Sequence, residues 1–412
     1  MNAYLGLALK SPVSFVLAEH EKLTAIRRDL HAHPELGFEE HRTAALVAER
    51  LHHWGIEVHT GVGRTGVVGV IHGRREASGR AIGLRADMDA LPMQEENSFG
   101  HRSAKAGLMH GCGHDGHTTM LLGAAQYLAA TRNFDGTAYL IFQPGEEGFG
   151  GARVMMEDGL FVRFPCDEVY ALHNWPGLPA GHIGLNPGPM MAAADRIEIT
   201  IGGRGGHAAH PHLAVDPVLI AGHIITAAQS IVSRNTAPID AAVVSLCSLT
   251  AGNPGAFSVI PREARLVGTV RAFQHSIQDT IERRLTELAQ SVARAFGGEA
   301  KVDYQRIYPA TINHAPQYEH ALRVAEELVG RDRVVRNMQP SMGAEDFAFM
   351  LQDKPGCYMR LGQGGADGGC WLHNSRYDFN DAVIPLGAGY LAALAERRMP
   401  ITTTRSTEEA RP

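Results

Sequence analysis

Apolar residues recur at helical spacing over residues 14–33, at Val16, Leu17, Leu23, Ile26 and Leu30, and Pro34 stops the run. A second helix is expected over residues 41–54. Short β-branched runs follow at 66–72 and 81–85, the second leading into Arg85-Ala86-Asp87-Met88-Asp89-Ala90-Leu91-Pro92. A glycine- and histidine-rich turn at 109–117 precedes an apolar helix at 118–130. Strands at 139–142 and 169–173 come next. Strands alternating with helices predict an α/β fold whose mainly parallel sheet is covered on both faces. In such sheets ligand-binding residues gather at the carboxyl ends of strands. Most of the polar clusters of this chain follow strands in that way.

The pattern changes near residue 195. Pro187-Gly188-Pro189 reads as a rigid connector. Beyond it the expected order is strand 196–201, helix 217–232, strands 241–248 and 264–273, helix 279–296 and strand 300–308. That β-α-β-β-α-β order describes a ferredoxin-like unit. From about residue 311 the helix–strand pattern of the first part resumes. The expected organisation is therefore a catalytic domain in two parts, residues 1–193 and 311–412, with a satellite domain at 194–310 inserted between them. The polar, charged tail from about residue 402 is expected to be disordered.

Composition narrows the function classes. With 412 residues, 38 basic and 44 acidic side chains and a net charge of −6, the chain offers no electrostatic case for nucleic-acid binding. No segment approaches the ~18 uninterrupted apolar residues of a membrane span. Residues 1–9 are apolar but short, and Lys10 follows them where a secretory signal would carry its basic residue first. The five cysteines, Cys112, Cys166, Cys247, Cys357 and Cys370, are odd in number and form no Cys-x-x-Cys pair. That fits a reducing compartment, and a cytoplasmic protein is expected.

The richest segment is Met109-His110-Gly111-Cys112-Gly113-His114-Asp115-Gly116-His117. Cys, His and Asp spaced by glycines let several ligand atoms converge on one point, and thiolate and imidazole suit zinc and its first-row neighbours. A plain polar turn before a helix is the weaker reading of so many donors in nine residues. Not all of them can be ligands: His110 and His117 could equally support the site or start the helix. In Gln143-Pro144-Gly145-Glu146-Glu147 two adjacent carboxylates would repel if buried without cations. One could ligate a metal while its neighbour acts as general base. His173 and His373 each stand alone after a short apolar stretch, where a histidine is more often structural. Together with the other segments they complete a donor set for two metals sharing a bridging water. The Gly202-Gly203-Arg204-Gly205-Gly206-His207 loop lacks the Gly-Lys-Ser/Thr ending and the dinucleotide spacing, so it is not a phosphate loop.

Taken together, these segments resemble the M20 metallopeptidase family in its aminoacylase and hippurate hydrolase branch. The matching stretches are 85–92, 110–117, 143–152, 173–176, 205–211, 259–273, 342–347 and 373–381, in the family's order. The resemblance implies that Cys112, His114, Glu147, His173 and His373 ligate two divalent ions (zinc, manganese, cobalt or nickel) and that Glu146 is the general base. Asp87 resembles the aspartate that orients a ligand, although Arg85 stands where other branches carry a ligand histidine. His207 resembles the histidine that reaches a partner subunit's active site, and Arg271 the arginine that grips the substrate carboxylate, which implies a homodimer or a higher homo-oligomer. Ser258 and Ala344 depart from the asparagine and serine usual in the branch. The implied activity is hydrolysis of N-acyl-amino acids, such as N-acetyl or N-benzoyl (hippurate) compounds, by metal-bound hydroxide. The alternatives are a dipeptidase or carboxypeptidase with the same centre, and a non-catalytic binding protein, which would be expected to lose Glu146 or a ligand. A thiol redox enzyme built on Cys112 would lack a resolving cysteine nearby.

Overall fold

The computed structural model describes residues 11–365 and 371–401. The terminal segments read above as signal-free and as a disordered tail, and Cys370, lie outside the described residues. The chain forms two compact units. One takes the described residues within Met1–Gly188, Ile312–Gln339 and Phe349–Pro412, the other Pro189–Thr311 and Pro340–Ala348. The second unit thus starts at 189 where the sequence reading starts it at 194, and it takes in residues 340–348, which that reading gives to the catalytic part.

The larger unit begins with helices α1 (Pro12–Ala18), α2 (His20–Ala32) and α3 (His41–His53). The single helix expected over 14–33 is interrupted at Glu19, whose backbone leaves helical geometry. Strands β1 (Glu57–Val62), β2 (Gly66–His72) and β3 (Ala81–Asp87) follow, then helix α4 (His114–Thr131) and strands β4 (Thr137–Gln143) and β5 (Glu168–Pro176). The eight-stranded sheet runs β1, β2, β4, β3, β5, Gly356–Gly364, Ile183–Gly184, Val334–Val335. Its centre is parallel: β3 pairs parallel with β4 and β5, and Gly356–Gly364 pairs parallel with β5. β1 and β2 add an antiparallel edge. β3 is buried at every position, as expected of a strand covered on both faces.

α4 packs against the sheet and against helix Ile384–Arg398 at close range. Gly123 makes the approach to that helix possible, because a Cβ there would lie 2.9 Å from Ala388 Cβ. Among the described residues, Cys112, Cys166, Cys247 and Cys357 are free thiols. No helix among the described residues is long and apolar enough to cross a membrane.

The second unit carries an antiparallel sheet in the order Ala242–Ala251, Glu263–Ala272, Ala193–Gly202, Glu299–Tyr308. Ile197, Ile199 and Ile201 alternate inward from the third of these strands onto helices Pro217–Asn235 and His275–Ala295, where Ile224, Ile231, Ile281 and Leu285 complete a buried core. This is the ferredoxin-like βαββαβ arrangement read from the sequence.

Candidate metal centre

Three chain reversals deliver the donors of the larger unit. The first follows β3, which ends at Asp87, with Asp89 just beyond. The second is the turn before α4, where Gly113 adopts φ +96. A Cβ at Gly113 would lie 2.3 Å from Asn174 Oδ1 and 2.6 Å from the Tyr377 hydroxyl, so glycine alone lets Cys112 and His114 flank this crowded point. The third is the Gly145-Glu146-Glu147 turn after β4. His173 lies near the end of β5, and His373 is held by its backbone N–H, which donates to Gly111 O at 2.7 Å. His373 sits at φ +63, the left-handed region that a side chain rarely adopts.

The ligand atoms of Cys112, His114 and His173 lie within 4.8 Å of one another, and so do those of Cys112, Glu147 and His373. Cys112 belongs to both groups. His114, Glu146 and Glu147 form a third group of the same size. Cys112, His114, Glu146 and His173 are buried, whereas the His373 side chain is half-exposed.

The surrounding hydrogen bonds orient the donors. His173 donates Nδ1–H to Asn174 O at 2.6 Å, which leaves Nε2 as the lone-pair nitrogen, 3.5 Å from Cys112 Sγ. Burial and the neighbouring His117 charge push the His173 imidazole well below its usual range, so it is neutral, as a ligand must be. His114 turns Nδ1 to Asp89 Oδ1 at 3.2 Å, and its buried Nε2 has no hydrogen-bond partner. Asp89 Oδ2 accepts the Glu147 N–H at 2.9 Å. His373 Nε2 lies 3.1 Å from Glu147 Oε1, and hydrogen bonds to Cys112 and Glu147 push its imidazole up to about 10.

Asp87 also stands among these atoms: its ligand atom lies within 4.8 Å of those of His114 and His117, with Oδ2 3.8 Å from His114 Nε2. Its Oδ1 is 2.6 Å from His117 Nδ1, and its Oδ2 accepts from Arg85 at 2.7 Å. Burial opposes ionisation of Asp87, but the charges of His114, Arg85 and His117 hold it well below the usual carboxylate range. His117 Nε2 is 2.5 Å from Asn174 Oδ1, so both of its ring nitrogens are engaged in support of the site. His110 is buried, and burial pushes it down to about 4. Two supporting residues, Asp89 and Asn174, are not singled out by the sequence reading, although both stand inside its motifs.

A buried Nε2 without a partner, a sulfur shared by two donor groups, and carboxylates beside imidazoles are what divalent first-row ions require. The donor set fits two such ions. Cys112, His114, Glu147, His173 and His373 would hold them.

His207 and Arg271 belong to the smaller unit. His207 is exposed on a short strand paired with Val259–Ile260. Its Nδ1 accepts the Ala209 N–H at 3.0 Å, which assigns the ring proton to Nε2. His207, Ser258 and Arg262 line an open cleft of about 460 Å³. Arg271 is half-buried on Glu263–Ala272, and desolvation lowers its guanidinium below the usual value.

Fold and donor set together define a hydrolase-type metallopeptidase architecture. The chain belongs to peptidase family M20/M25/M40, whose model matches residues 83–397. It is 44% identical to the hippurate hydrolase of Campylobacter jejuni over 370 residues, covering 90% of this chain and 94% of that protein. It is 37% identical to the N-acetylcysteine deacetylase of Bacillus subtilis, covering 92% and 97%. Among solved structures, a dinuclear metal-binding peptidase of the M20 family from Bacillus subtilis superposes with a TM-score of 0.81 at 33% identity, covering 93% and 99%.

Proposed function

We propose that the protein is a di-metal amidohydrolase that cleaves N-acyl-amino acids into a carboxylic acid and a free amino acid. The observation that carries this reading is the convergence of Cys112, His114, Glu147, His173 and His373 with Glu146 beside them. Two relatives named for hydrolysis of hippurate and of N-acetylcysteine support the substrate class.

When bound, two divalent ions (zinc, manganese, cobalt or nickel) polarise the amide carbonyl and lower the pKa of water towards neutrality. Glu146 takes a proton from the attacking water and returns it to the departing amide nitrogen, so one water is consumed per amide cleaved. Asp89 and Asn174 hold the imidazoles in the orientation this needs. His207, carrying its proton on Nε2, donates to the carbonyl oxygen as negative charge develops there. It acts in the partner subunit's site of a homodimer. Arg271 pairs with the substrate carboxylate, for which a planar fork is well shaped. A cytoplasmic location is part of this reading, supported by an odd number of cysteines without a Cys-x-x-Cys pair.

The experiment is amine release from N-acetyl-amino acids, hippurate and dipeptides, on metal-stripped protein with Zn²⁺, Mn²⁺ or Co²⁺ restored in turn. Metal-dependent release from the acylated compounds, abolished in Glu146→Ala protein that keeps its metal, is the expected result. A Glu146→Ala variant with a large share of parental turnover removes Glu146 from the base role. Release only from dipeptides moves the assignment to a peptidase with the same centre, a reading supported by the peptidase among its structural relatives.

A further inference from the structure

The loop between α2 and α3 lies against the turn that carries Glu146. Glu35 O accepts the Ala90 N–H at 2.8 Å, and Leu36 bridges to Ala90. Gly37 packs so closely that a Cβ there would lie 2.9 Å from Gly145 Cα and 2.5 Å from the Phe149 ring. Phe38 adopts φ +65, and its ring meets Phe149 edge-on at 5.8 Å with the Arg64 guanidinium 4.3 Å from its centre.

Glu40 closes this loop at the start of α3 and is fully buried. Its carboxylate does not cap the helix: the Arg42 and Thr43 N–H groups donate to Glu35 at 3.1 and 2.8 Å. Instead Glu40 Oε1 accepts the Gly145 N–H at 2.8 Å, and Oε2 accepts the Thr65 hydroxyl at 2.5 Å. On the other side of the same residue, Gly145 O accepts the Gly151 N–H at 2.9 Å. The residue immediately before Glu146 is thereby fixed at both of its polar atoms, at φ +57. Burial pushes the Glu40 carboxyl up to about 7, so its place disfavours the charged form and lowers stability. Local rules are broken in this way chiefly where function needs it.

We propose that Glu40 is a positioning residue for the reaction: by fastening the Gly145 backbone it sets where the Glu146 carboxylate stands relative to the metal donors. This rests on Glu146 being the general base. Displacing a reacting group by about 1 Å costs on the order of a hundredfold in rate, so the contribution falls on kcat more than on KM.

The test compares Glu40→Ala, Glu40→Asp and Glu40→Gln in the metal-loaded full chain by kcat, KM, metal content and thermal midpoint. Glu40→Ala is expected to keep metal and KM while kcat falls by about a hundredfold. Glu40→Gln keeps an oxygen for Gly145 and can donate its amide to a reoriented Thr65 hydroxyl, so it restores most of kcat. Glu40→Asp keeps the charge but draws the oxygen back, and remains slow. If Glu40→Ala does not fold, the Asp and Gln variants decide. Glu168→Gln, at the opposite end of β5 from His173, shows what lost stability alone does to kcat. A Glu40→Ala enzyme with parental kcat, or Asp and Gln variants of equal rate, overturns the proposal. Glu146→Gln is run alongside: if it keeps turnover, the base assignment itself fails. An inactive Glu146→Gln beside an undiminished Glu40→Ala rejects only the role of Glu40.

Discussion

Asp89 holds His114 through one carboxylate oxygen, 3.2 Å from Nδ1, and reaches the backbone of Glu147 with the other, at 2.9 Å. A single buried carboxylate therefore orients one ligand and anchors another from a different chain segment. Asp89→Asn keeps the shape but removes the charge behind the imidazole. Metal affinity is expected to fall by roughly 10–100-fold, as for other losses of a carboxylate behind a ligating histidine. A competition titration against a chromogenic chelator measures it, and unchanged affinity would show that Asp89 contributes only structure.

Cys112 and His117 stand five positions apart in the same segment and should fail differently. Cys112→Ala removes the sulfur shared by two donor groups, so metal per chain after dialysis is expected to drop. His117→Ala leaves Asp87 and Asn174 buried without a shared partner, which costs about 1–3 kcal/mol in urea unfolding and leaves metal content closer to the parent. Elemental analysis beside denaturation separates the two. The reverse pattern would make His117 the ligand.

His207 is tested by complementation. Inactive His207→Ala chains are mixed with inactive Glu146→Ala chains under conditions of proven subunit exchange. If His207 serves a partner's site, mixed dimers contain one intact site and activity returns in part. No recovery would confine His207 to its own chain or remove it from the reaction.

Two buried groups, Glu168 and His31, contribute to the pH dependence of stability with opposite signs. Burial raises the Glu168 carboxyl, but its hydrogen bond to Arg398, with Tyr170 and Arg80, outweighs this and brings it to about 2. The folded value lies below the unfolded one, so its contribution is present above about pH 4.5 and is lost as pH falls towards 2. Water reaching Arg80 reduces this to about 1–2 kcal/mol. His31 has the opposite sign. Burial lowers it, but hydrogen bonds to Asp115 and Glu95 raise it to about 9. Its contribution is complete below about pH 6.5 and is lost as pH rises through 9. Urea midpoints across pH should flatten on the acid side in Glu168→Gln and on the alkaline side in His31→Gln. A parental acid slope in Glu168→Gln would assign acid sensitivity elsewhere.

Much of this site was legible because its donors come in short motifs whose chemistry is unusual wherever they fold. The five donors read from the sequence are brought together by the structure. Asp87 and Asp89 illustrate the remainder: two residues apart, they go to different imidazoles, and spacing along a strand end does not say which. The part played by the Glu40 loop is not legible in the sequence, because it rests on backbone contacts and on a carboxylate at a helix start, a common place for glutamate. The 340–348 segment joins the smaller unit through tertiary packing, which no local pattern records.

Strand Gly356–Gly364 enters the sheet between β5 and Ile183–Gly184, and His373 follows it. During synthesis the edge of β5 therefore waits, unpaired, until the whole smaller unit has emerged. Contacts this distant in sequence form slowly, because the chain must close a long loop before they stabilise anything. The metal centre is thus a late product of folding. Until then the Cys112 thiol and the β5 edge remain open to oxidation and to mispairing with other chains.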